Sequence, residues 1–233
     1  MPLSLDATVK TLLFPLLFAQ GVYARRMAED LPEPPGPRSG TAGSGAPLSL
    51  LLTGDSSAAG VGAGHQDEAL SGQLREALKG EYTLNWRVIA KTGATTASTL
   101  ARLQAADAEP FDMAIVAVGV NDITGGGTLH QFLDRRQAIY DLLRNKFGVQ
   151  RIIASGLPPV GHFPLLPQPL RWVMGRQTKR FDAALEAQAN AQGVDYIHFA
   201  IEYRPELMAK DGFHPAPEAY HLWANLLARH IRT

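Results

Sequence analysis

The sequence of 233 residues contains no cysteine, so it forms no disulfide bond, no thiolate metal site and no cysteine nucleophile. Its 22 basic and 22 acidic residues leave no formal net charge. This argues against a nucleic-acid partner, which would need a basic face. The sequence also lacks a phosphate-binding G-x-G-x-x-G or Walker loop and the H-E-x-x-H spacing of a zinc hydrolase. We therefore predict no metal ion and no other cofactor.

The apolar run near the N-terminus is too short to cross a membrane as a helix. It extends over Thr11–Ala19, is interrupted by Gln20 and resumes only at Val22–Ala24. Two interpretations stay open: a signal peptide, with Lys10 before the run, or a retained amphipathic helix that lies on the domain or on a membrane surface. We accordingly expect a bacterial protein that is cytoplasmic or membrane-associated, with export as the alternative. The oligomeric state is left open.

Residues 31–47 are rich in proline, glycine and serine, which is typical of an extended connector. A connector of this length is unusual inside a compact domain. We therefore predict two parts: residues 1–46, holding the N-terminal helix and the connector, and residues 47–233, forming one catalytic domain.

Strand and helix patterns alternate through the second part of the chain. Apolar runs and alternating segments predict strands, and apolar residues at helical spacing predict helices. The predicted strands are Leu48–Thr53, Tyr82–Ala90, Met113–Val118, Arg151–Ser155 and Val194–Phe199; the predicted helices are Glu68–Leu78, Thr95–Ala106, Leu129–Phe147, Leu170–Gln192 and Ala216–Ile231. Such alternation predicts a parallel sheet of about five strands covered by helices on both faces, a three-layer α/β/α sandwich.

Four short segments, each at the end of a predicted strand or near the C-terminus, carry the side chains that acyl transfer needs. Ser56, in a loop after the first strand, is the candidate nucleophile. His214 is the candidate base, and Asp211, three residues earlier, is the candidate carboxylate that orients it. Gly93 and Asn121 offer a backbone N–H and a side-chain amide for the oxyanion. Each segment alone also fits an ordinary turn or helix cap, but together they predict a serine hydrolase.

These segments resemble the four blocks of the SGNH subgroup of the GDSL-type esterase and lipase family. The matching stretches are Gly54-Asp55-Ser56, Gly93, Gly119-Val120-Asn121-Asp122 and Asp211-Gly212-Phe213-His214-Pro215, with Ser57 standing where the family name has leucine. The resemblance covers residues 48 to 233 and implies a flavodoxin-like sandwich. It also implies that the Ser56 N–H joins Gly93 and Asn121 in the oxyanion hole. Asp55 and Asp122 are expected to support these loops, because a carboxylate aimed at the oxyanion would oppose it.

The loop Leu157–Pro167 follows the fourth predicted strand and is apolar and rich in proline. We interpret it as one wall of an acyl pocket, with Phe163, Leu165 and Leu166 as candidate substrate-binding residues; a packed loop with no ligand role is the alternative. The predicted function is hydrolysis of small acyl esters through an acyl-enzyme. Thioesterase, lysophospholipase or carbohydrate acetylesterase activity at the same site stays open, as do acyl transfer to an alcohol and a non-catalytic ligand-binding relative.

Overall fold

The computed structural model describes residues 5–199, 201 and 204–233, with side chains from residue 13 onward. Strands and helices alternate through this part of the chain after an N-terminal helix. The elements are α1 Leu5–Met27, β1 Ser39–Ala42, β2 Ala46–Gly54, α2 Ser56–Ala59, α3 Leu70–Leu78, β3 Tyr82–Ala90, α4 Thr96–Ala105, β4 Met113–Ala117, α5 Val120–Thr124, α6 Leu129–Phe147, β5 Arg151–Ser155, α7 Leu170–Ala191, β6 Asp195–Ile197 and α8 Pro217–Ile231.

The strands form one sheet in the order β1-β3-β2-β4-β5-β6. Strands β2 to β6 are parallel, and β1 pairs antiparallel with β3 at the edge. Without β1, this is the strand order of flavodoxin-like folds. The predicted three-layer α/β/α sandwich with five parallel strands is therefore confirmed, and the structure adds one antiparallel edge strand.

The centre of strand β2, Leu50–Leu52, is apolar at three consecutive positions because helices cover it on both sides. Leu50 and Leu52 pack with α3 and α8 on one face, whereas Leu51 packs with α6 on the other. Successive side chains of a strand point to opposite faces, so a central strand needs apolar residues at both parities. The uninterrupted apolar run in the sequence therefore places β2 in the middle layer.

The edge strand β1 lies inside the stretch predicted to be an extended connector, and that prediction was wrong for these four residues. Ser-Gly-Thr-Ala has no apolar alternation, so the local pattern does not distinguish it from a loop. Backbone pairing with β3, from Ser39 opposite Arg87 to Ala42 opposite Leu84, makes it a strand. Through β1, the connector is hydrogen-bonded to the edge of the sheet. The division of the chain at residue 46 stays a prediction.

Three elements have the predicted bounds: the strands β3 and β5 and the helix α6. Gly148 ends α6 in the left-handed conformation. Strand β6 spans three residues instead of the six predicted, Val194–Phe199. The prediction that Ser56 lies in a loop was also wrong, because Ser56 is the first residue of the short helix α2.

Helix α1 is attached to the domain at one end of α7. The Gln20 side chain accepts a hydrogen bond from the Leu170 N–H at 3.0 Å and donates one to the Gln168 carbonyl. Ala24 is buried in an apolar cluster that also contains Phe163 and Leu166. Among the described residues, neither this helix nor any other combines the length and the hydropathy that crossing a membrane would need.

The strand order places a crevice between β2 and β4. The chain continues from β2 to β3 on one side and then crosses to β4 on the other. At such a reversal, the loops leaving the two strands diverge and open a crevice at the carboxyl edge of the sheet. Ser56 follows β2 and Asn121 follows β4, so both segments border this crevice.

Candidate active site

The close approach of β2 and β4 fixes the start of helix α2. A side chain at Gly54 would place its Cβ 1.9 Å from the Ala117 carbonyl oxygen, so only glycine fits here. The next N–H, that of Asp55, donates to the same carbonyl at 3.1 Å. Asp55 then caps α2, and Ser56 occupies the first helical position with only 7% of its surface exposed. The hydroxyl is thus held at the crevice by rigid backbone.

Ser56, His214 and Asp211 form a continuous hydrogen-bonded chain although 158 positions separate the first two. The Ser56 hydroxyl lies 2.8 Å from His214 Nε2, and His214 Nδ1 lies 2.5 Å from an Asp211 carboxylate oxygen. Because the carboxylate can only accept, Nδ1 carries the proton, and Nε2 is left as the acceptor for the hydroxyl. This is the arrangement that general-base activation of a serine requires.

Asp211 is held as an ionised carboxylate. Its side chain is 2% exposed, and burial acts to raise its pKa. The hydrogen bond with the His214 ring and those from the Phe213 and His214 backbone N–H groups, both 3.0 Å, act in the opposite direction. The net result is that the pKa of Asp211 lies below its usual value. A permanent negative charge therefore faces the imidazole on the side away from Ser56.

The sequence contains a second Asp-x-x-His pair, Asp195 and His198, that spacing alone does not distinguish from the first. In the folded chain, the two residues of this pair bind different partners. Asp195 bonds to Arg151 at 2.5 Å and lies 3.3 Å from His230, whereas His198 pairs with Glu186 at 3.1 Å. Asp195 therefore does not orient His198, and only the pair that ends at His214 reaches Ser56.

The candidate oxyanion donors lie on the segments that follow β2, β3 and β4. The first N–H of a helix has no acceptor within the helix, so the Ser56 N–H is suited to bind a ligand. Asn121 Nδ2 donates to the Ala94 carbonyl at 3.0 Å, which orients the amide and leaves its second hydrogen for another acceptor. Gly93 precedes Ala94 and has a φ of +74°. Ser56 and Asn121 line the cleft, whereas Gly93 is not among the described residues that line it.

Asp122 connects two of the four segments. Its carboxylate accepts hydrogen bonds from the Thr96 N–H at 2.8 Å and the Thr96 hydroxyl at 2.6 Å. Thr96 begins helix α4 directly after the Gly93 loop, so Asp122 fixes that loop relative to Asn121. This contact supports the expected supporting role of Asp122.

Asp55 supports the nucleophile segment in the same way. Its carboxylate accepts from the Ser57 N–H at 3.1 Å and from the Ser57 hydroxyl at 2.8 Å. Burial raises the pKa of Asp55, and the hydrogen bonds from Ser57 counteract this only in part. Ser57 stands at the position where the family name has leucine. Its hydroxyl stabilises the N-terminal cap of α2 by donating a hydrogen bond to Asp55.

Glu33, in the connector, is a supporting residue that the sequence analysis missed. Its carboxylate accepts from the Thr92 N–H at 2.8 Å and the Thr92 hydroxyl at 2.9 Å, and it pairs with Arg38 and Lys91 at 2.9 and 3.2 Å. The connector thereby holds the loop that carries Gly93. Nothing in the local pattern indicated this contact, because the two partners are 59 positions apart.

We expect Glu33→Gln to lower stability in a pH-dependent way. Burial acts to raise the pKa of Glu33, but the hydrogen bonds from Thr92 and the charges of Lys91 and Arg38 lower it from 4.5 to about 2. A lowered folded-state pKa stabilises the fold above the unfolded pKa, and this contribution is lost as the pH falls through the folded value. After allowance for solvent screening, the difference in unfolding free energy at neutral pH is about 1–2 kcal/mol.

Urea unfolding of wild type and Glu33→Gln between pH 2 and pH 8 measures this difference. It should be constant above about pH 5 and close to zero near pH 2. The matched control is Glu76→Gln, which removes an exposed ion pair with Lys79 and should change stability by less than about 0.5 kcal/mol. An equal effect of the two substitutions at all pH values would contradict the role of Glu33.

The cleft beside Ser56 and His214 is mainly apolar. Phe163 lines it and stacks edge-on against Phe213 with 5.2 Å between the ring centres. Leu165 and Leu166 are not among the described lining residues; they pack into the cluster with Phe163 and Ala24 instead, so the structure does not bring them to the cleft. Leu157, in the loop interpreted as a pocket wall, also lines the cleft. The apolar lining that the sequence analysis missed comes from helix α8 and from segments without a strong periodic signal: Phe199, Ile201, Leu207, Met208, Phe213 and Trp223.

The comparison with protein families gives one match. A sequence profile of the GDSL-like Lipase/Acylhydrolase family matches residues 52–222, about three quarters of the chain. The matched range contains Ser56, Gly93, Asn121, Asp211 and His214. No curated protein matches the chain.

Solved structures match the fold at low sequence identity. The protein TesA is 23% identical, with a TM-score of 0.63 over 79% of this chain and 98% of that chain. Axe2, an acetylxylan esterase from Geobacillus stearothermophilus, is 16% identical, with a TM-score of 0.60 over 81% and 96%. EstA, a psychrotrophic esterase from Pseudoalteromonas sp., is 18% identical, with a TM-score of 0.59 over 79% and 97%. These likenesses establish the fold.

Proposed function

Because this chain belongs to the GDSL-like lipase/acylhydrolase family, it is a carboxylic ester hydrolase, and we propose that it acts through a Ser56–His214–Asp211 triad and an acyl-enzyme. One observation carries this proposal. The Ser56 hydroxyl, the His214 ring and the Asp211 carboxylate are joined by contacts of 2.8 and 2.5 Å at the edge of an apolar cleft. This geometry needs no side-chain rearrangement to pass a proton from Ser56 to His214.

In the first half-reaction, Ser56 Oγ bonds to the ester carbonyl carbon while its proton moves to His214 Nε2. The negative charge that develops on the carbonyl oxygen is stabilised by the Ser56 N–H, the Gly93 N–H and the Asn121 amide. The bond to the leaving alcohol then breaks, and His214 returns the proton to that alcohol. Asp211 stabilises the imidazolium throughout by accepting from Nδ1.

In the second half-reaction, water replaces the alcohol. His214 Nε2 takes a proton from the water as its oxygen bonds to the acyl carbon, and the same donors hold the oxyanion. The bond to Ser56 Oγ breaks, the proton returns to Ser56, and the carboxylic acid is released. An alcohol in place of the water would give a new ester, so acyl transfer uses the same steps.

The apolar lining favours an acyl chain over an acetyl group on a sugar. Phe163, Phe199 and Phe213 surround the cleft together with aliphatic residues, and these side chains offer contact to methylene groups but few hydrogen bonds to hydroxyls. The solved relatives include both an acetylxylan esterase and an esterase, so the fold alone does not choose between these substrates. We propose an ester or thioester with an apolar acyl chain as the substrate class.

The test is hydrolysis of p-nitrophenyl esters from acetate to palmitate. Each methylene buried in the cleft is worth about 0.8 kcal/mol, so kcat/KM should rise about threefold to fourfold per methylene until the cleft is filled. A matched thioester series distinguishes oxygen from sulfur leaving groups, and added alcohol detects acyl transfer. A maximum at acetate, with xylan acetate preferred, would instead support carbohydrate deacetylation.

A further inference from the structure

Helix α1 is apolar on the side that faces away from the domain. Between residues 13 and 24 it contains no charged residue. The inward side is formed by Leu17, Gln20 and Ala24, which contact the domain. The outward side carries large apolar side chains that are 37–65% exposed: Phe14, Leu16, Phe18, Val22, Tyr23 and Met27. We call these six residues the outward face.

The domain itself leaves the outward face uncovered. Gln20 is hydrogen-bonded to the backbone at both Gln168 and Leu170, so the rotation of the helix about its axis is fixed by two contacts. Lys210 pairs with Glu29 just beyond the end of α1 and holds that end as well. The helix therefore cannot turn the outward face inward without breaking these contacts. A contiguous set of exposed large apolar side chains marks a surface that meets a partner or a lipid phase.

Positive charge borders the outward face. Arg25 and Arg26 are exposed in the last turn of α1. Close to the contact between α1 and α7, Trp172 is 46% exposed, and the Arg176 guanidinium lies 5.3 Å from the centre of its ring. Arg176, Lys179 and Arg180 continue along α7 and line a groove that meets the catalytic cleft at Leu157–Pro159. The acidic residues Glu29 and Asp30 follow beyond the end of α1, and Glu29 is paired with Lys210.

Two partners would suit the apolar outward face: a second copy of this chain or a lipid bilayer. The arginines beside the face favour one of them. In a symmetric pair of chains, the same patch of both copies forms the interface, so the like charges of Arg25 and Arg26 from both copies would be brought into one interface. An anionic bilayer instead accepts apolar and aromatic side chains at the level of the headgroups and attracts the arginines beside them. Exposed tryptophan and tyrosine also favour the boundary between lipid and water.

We propose that the outward face, with Arg25, Arg26 and Trp172, is the surface by which this enzyme lies on an anionic lipid bilayer. The inward side of α1 shares an apolar cluster with Phe163 and Phe213, which line the catalytic cleft. A bilayer bound to the outward face would therefore lie next to the cleft. The helix lies in the plane of the interface and does not cross it.

Co-sedimentation of the full chain with vesicles tests the proposal. Wild type should bind phosphatidylcholine vesicles that contain 30% phosphatidylglycerol, a composition chosen for the assay, and bind pure phosphatidylcholine more weakly. Phe14→Ser/Phe18→Ser should weaken binding more than tenfold, because two large apolar side chains lose their burial. Arg25→Gln/Arg26→Gln should weaken binding to the anionic vesicles by about fivefold per arginine, and added salt should have a similar effect.

The control variant is Lys79→Gln/Arg102→Gln, which removes one exposed charge just after α3 and another from α4. It should bind as wild type does. All variants should hydrolyse a soluble p-nitrophenyl ester at the wild-type rate, because none of these residues belongs to the catalytic site. This readout separates failure of the membrane proposal from failure of the proposed esterase function.

Trp172 gives a second, independent measurement. The other two tryptophans, Trp86 and Trp223, are 7% and 3% exposed, so a change in emission on lipid binding should come from Trp172. Wild-type emission should shift to shorter wavelength on anionic vesicles, and Trp172→Phe should lose the shift. Absence of vesicle binding by wild type, or equal binding by the Phe14→Ser/Phe18→Ser variant, would overturn the proposal. A wild-type dimer that becomes monomeric in that variant, without vesicle binding, would assign the face to a second copy and overturn it as well.

Discussion

Replacing Ser56 by alanine is expected to lower kcat by roughly 10⁵–10⁶-fold while leaving the fold intact. The substitution removes only the Oγ atom, which contacts His214 at 2.8 Å, and keeps the N–H at the first position of α2. The His214 ring remains bound to Asp211. Without the oxygen, no acyl-enzyme forms, and only the slower attack of water on a bound ester remains.

The measurement combines ester hydrolysis with covalent labelling by an alkyl phosphonate, which reacts with an activated serine. Wild type should gain one phosphonyl group on Ser56, found by mass spectrometry of peptides, and Ser56→Ala should gain none. Circular dichroism and urea unfolding should be unchanged within about 0.5 kcal/mol.

Ser57→Ala is the matched control because Ser57 is the adjacent hydroxyl. It donates to Asp55 at 2.8 Å and not to His214, so its loss should reduce kcat by less than about tenfold and leave the labelling intact. If Ser57→Ala lost the label and Ser56→Ala kept it, Ser56 would not be the nucleophile.

Asp211→Asn is expected to lower kcat by roughly 10³–10⁴-fold at neutral pH. The asparagine oxygen can still accept from the Phe213 and His214 backbone N–H groups, which hold it in place. Its NH₂ group then faces His214 Nδ1 and donates a hydrogen bond there. The imidazole proton is forced onto Nε2, so the nitrogen that faces Ser56 can no longer take a proton.

A comparison with Asp195→Asn checks this mechanism within the same chain. Asp195 also stands three residues before a histidine, but it bonds to Arg151 and lies near His230. Its substitution should leave kcat within about twofold of wild type and cost only a modest amount of stability. KM should change little in either variant, because neither carboxylate lines the cleft. An Asp211→Asn enzyme with an unchanged kcat would remove Asp211 from the proposed triad.

Several elements were predictable because their signals are local. Helix α6 begins at a threonine cap with Gln131 closing the capping box, and it ends at Gly148 in the left-handed conformation. The apolar runs of β2 and β4 have the composition of strands covered on both faces. The proposed catalytic residues also follow from short segments, since Asp211 and His214 are only three positions apart.

Other features depend on contacts between distant residues, which no local pattern reports. The strand β1 exists because β3 offers a free edge, and Glu33 reaches Thr92 across 59 positions. Leu165 and Leu166 were predicted to line the cleft, but they are not among its described lining residues and belong to an apolar cluster that also contains Ala24 of α1. Their apolar composition fits both positions, so the sequence does not distinguish them.

The sequence by itself determined the layered α/β architecture and the residue types of a serine hydrolase, because periodicity and short motifs are local properties of the chain. The tertiary structure brought the predicted pair Asp211 and His214 to Ser56, and it decided which apolar residues line the cleft and which side of α1 stays uncovered. Each of these features depends on contacts between segments that are far apart in the sequence. The packing of the sheet and its helices sets the distances between those segments.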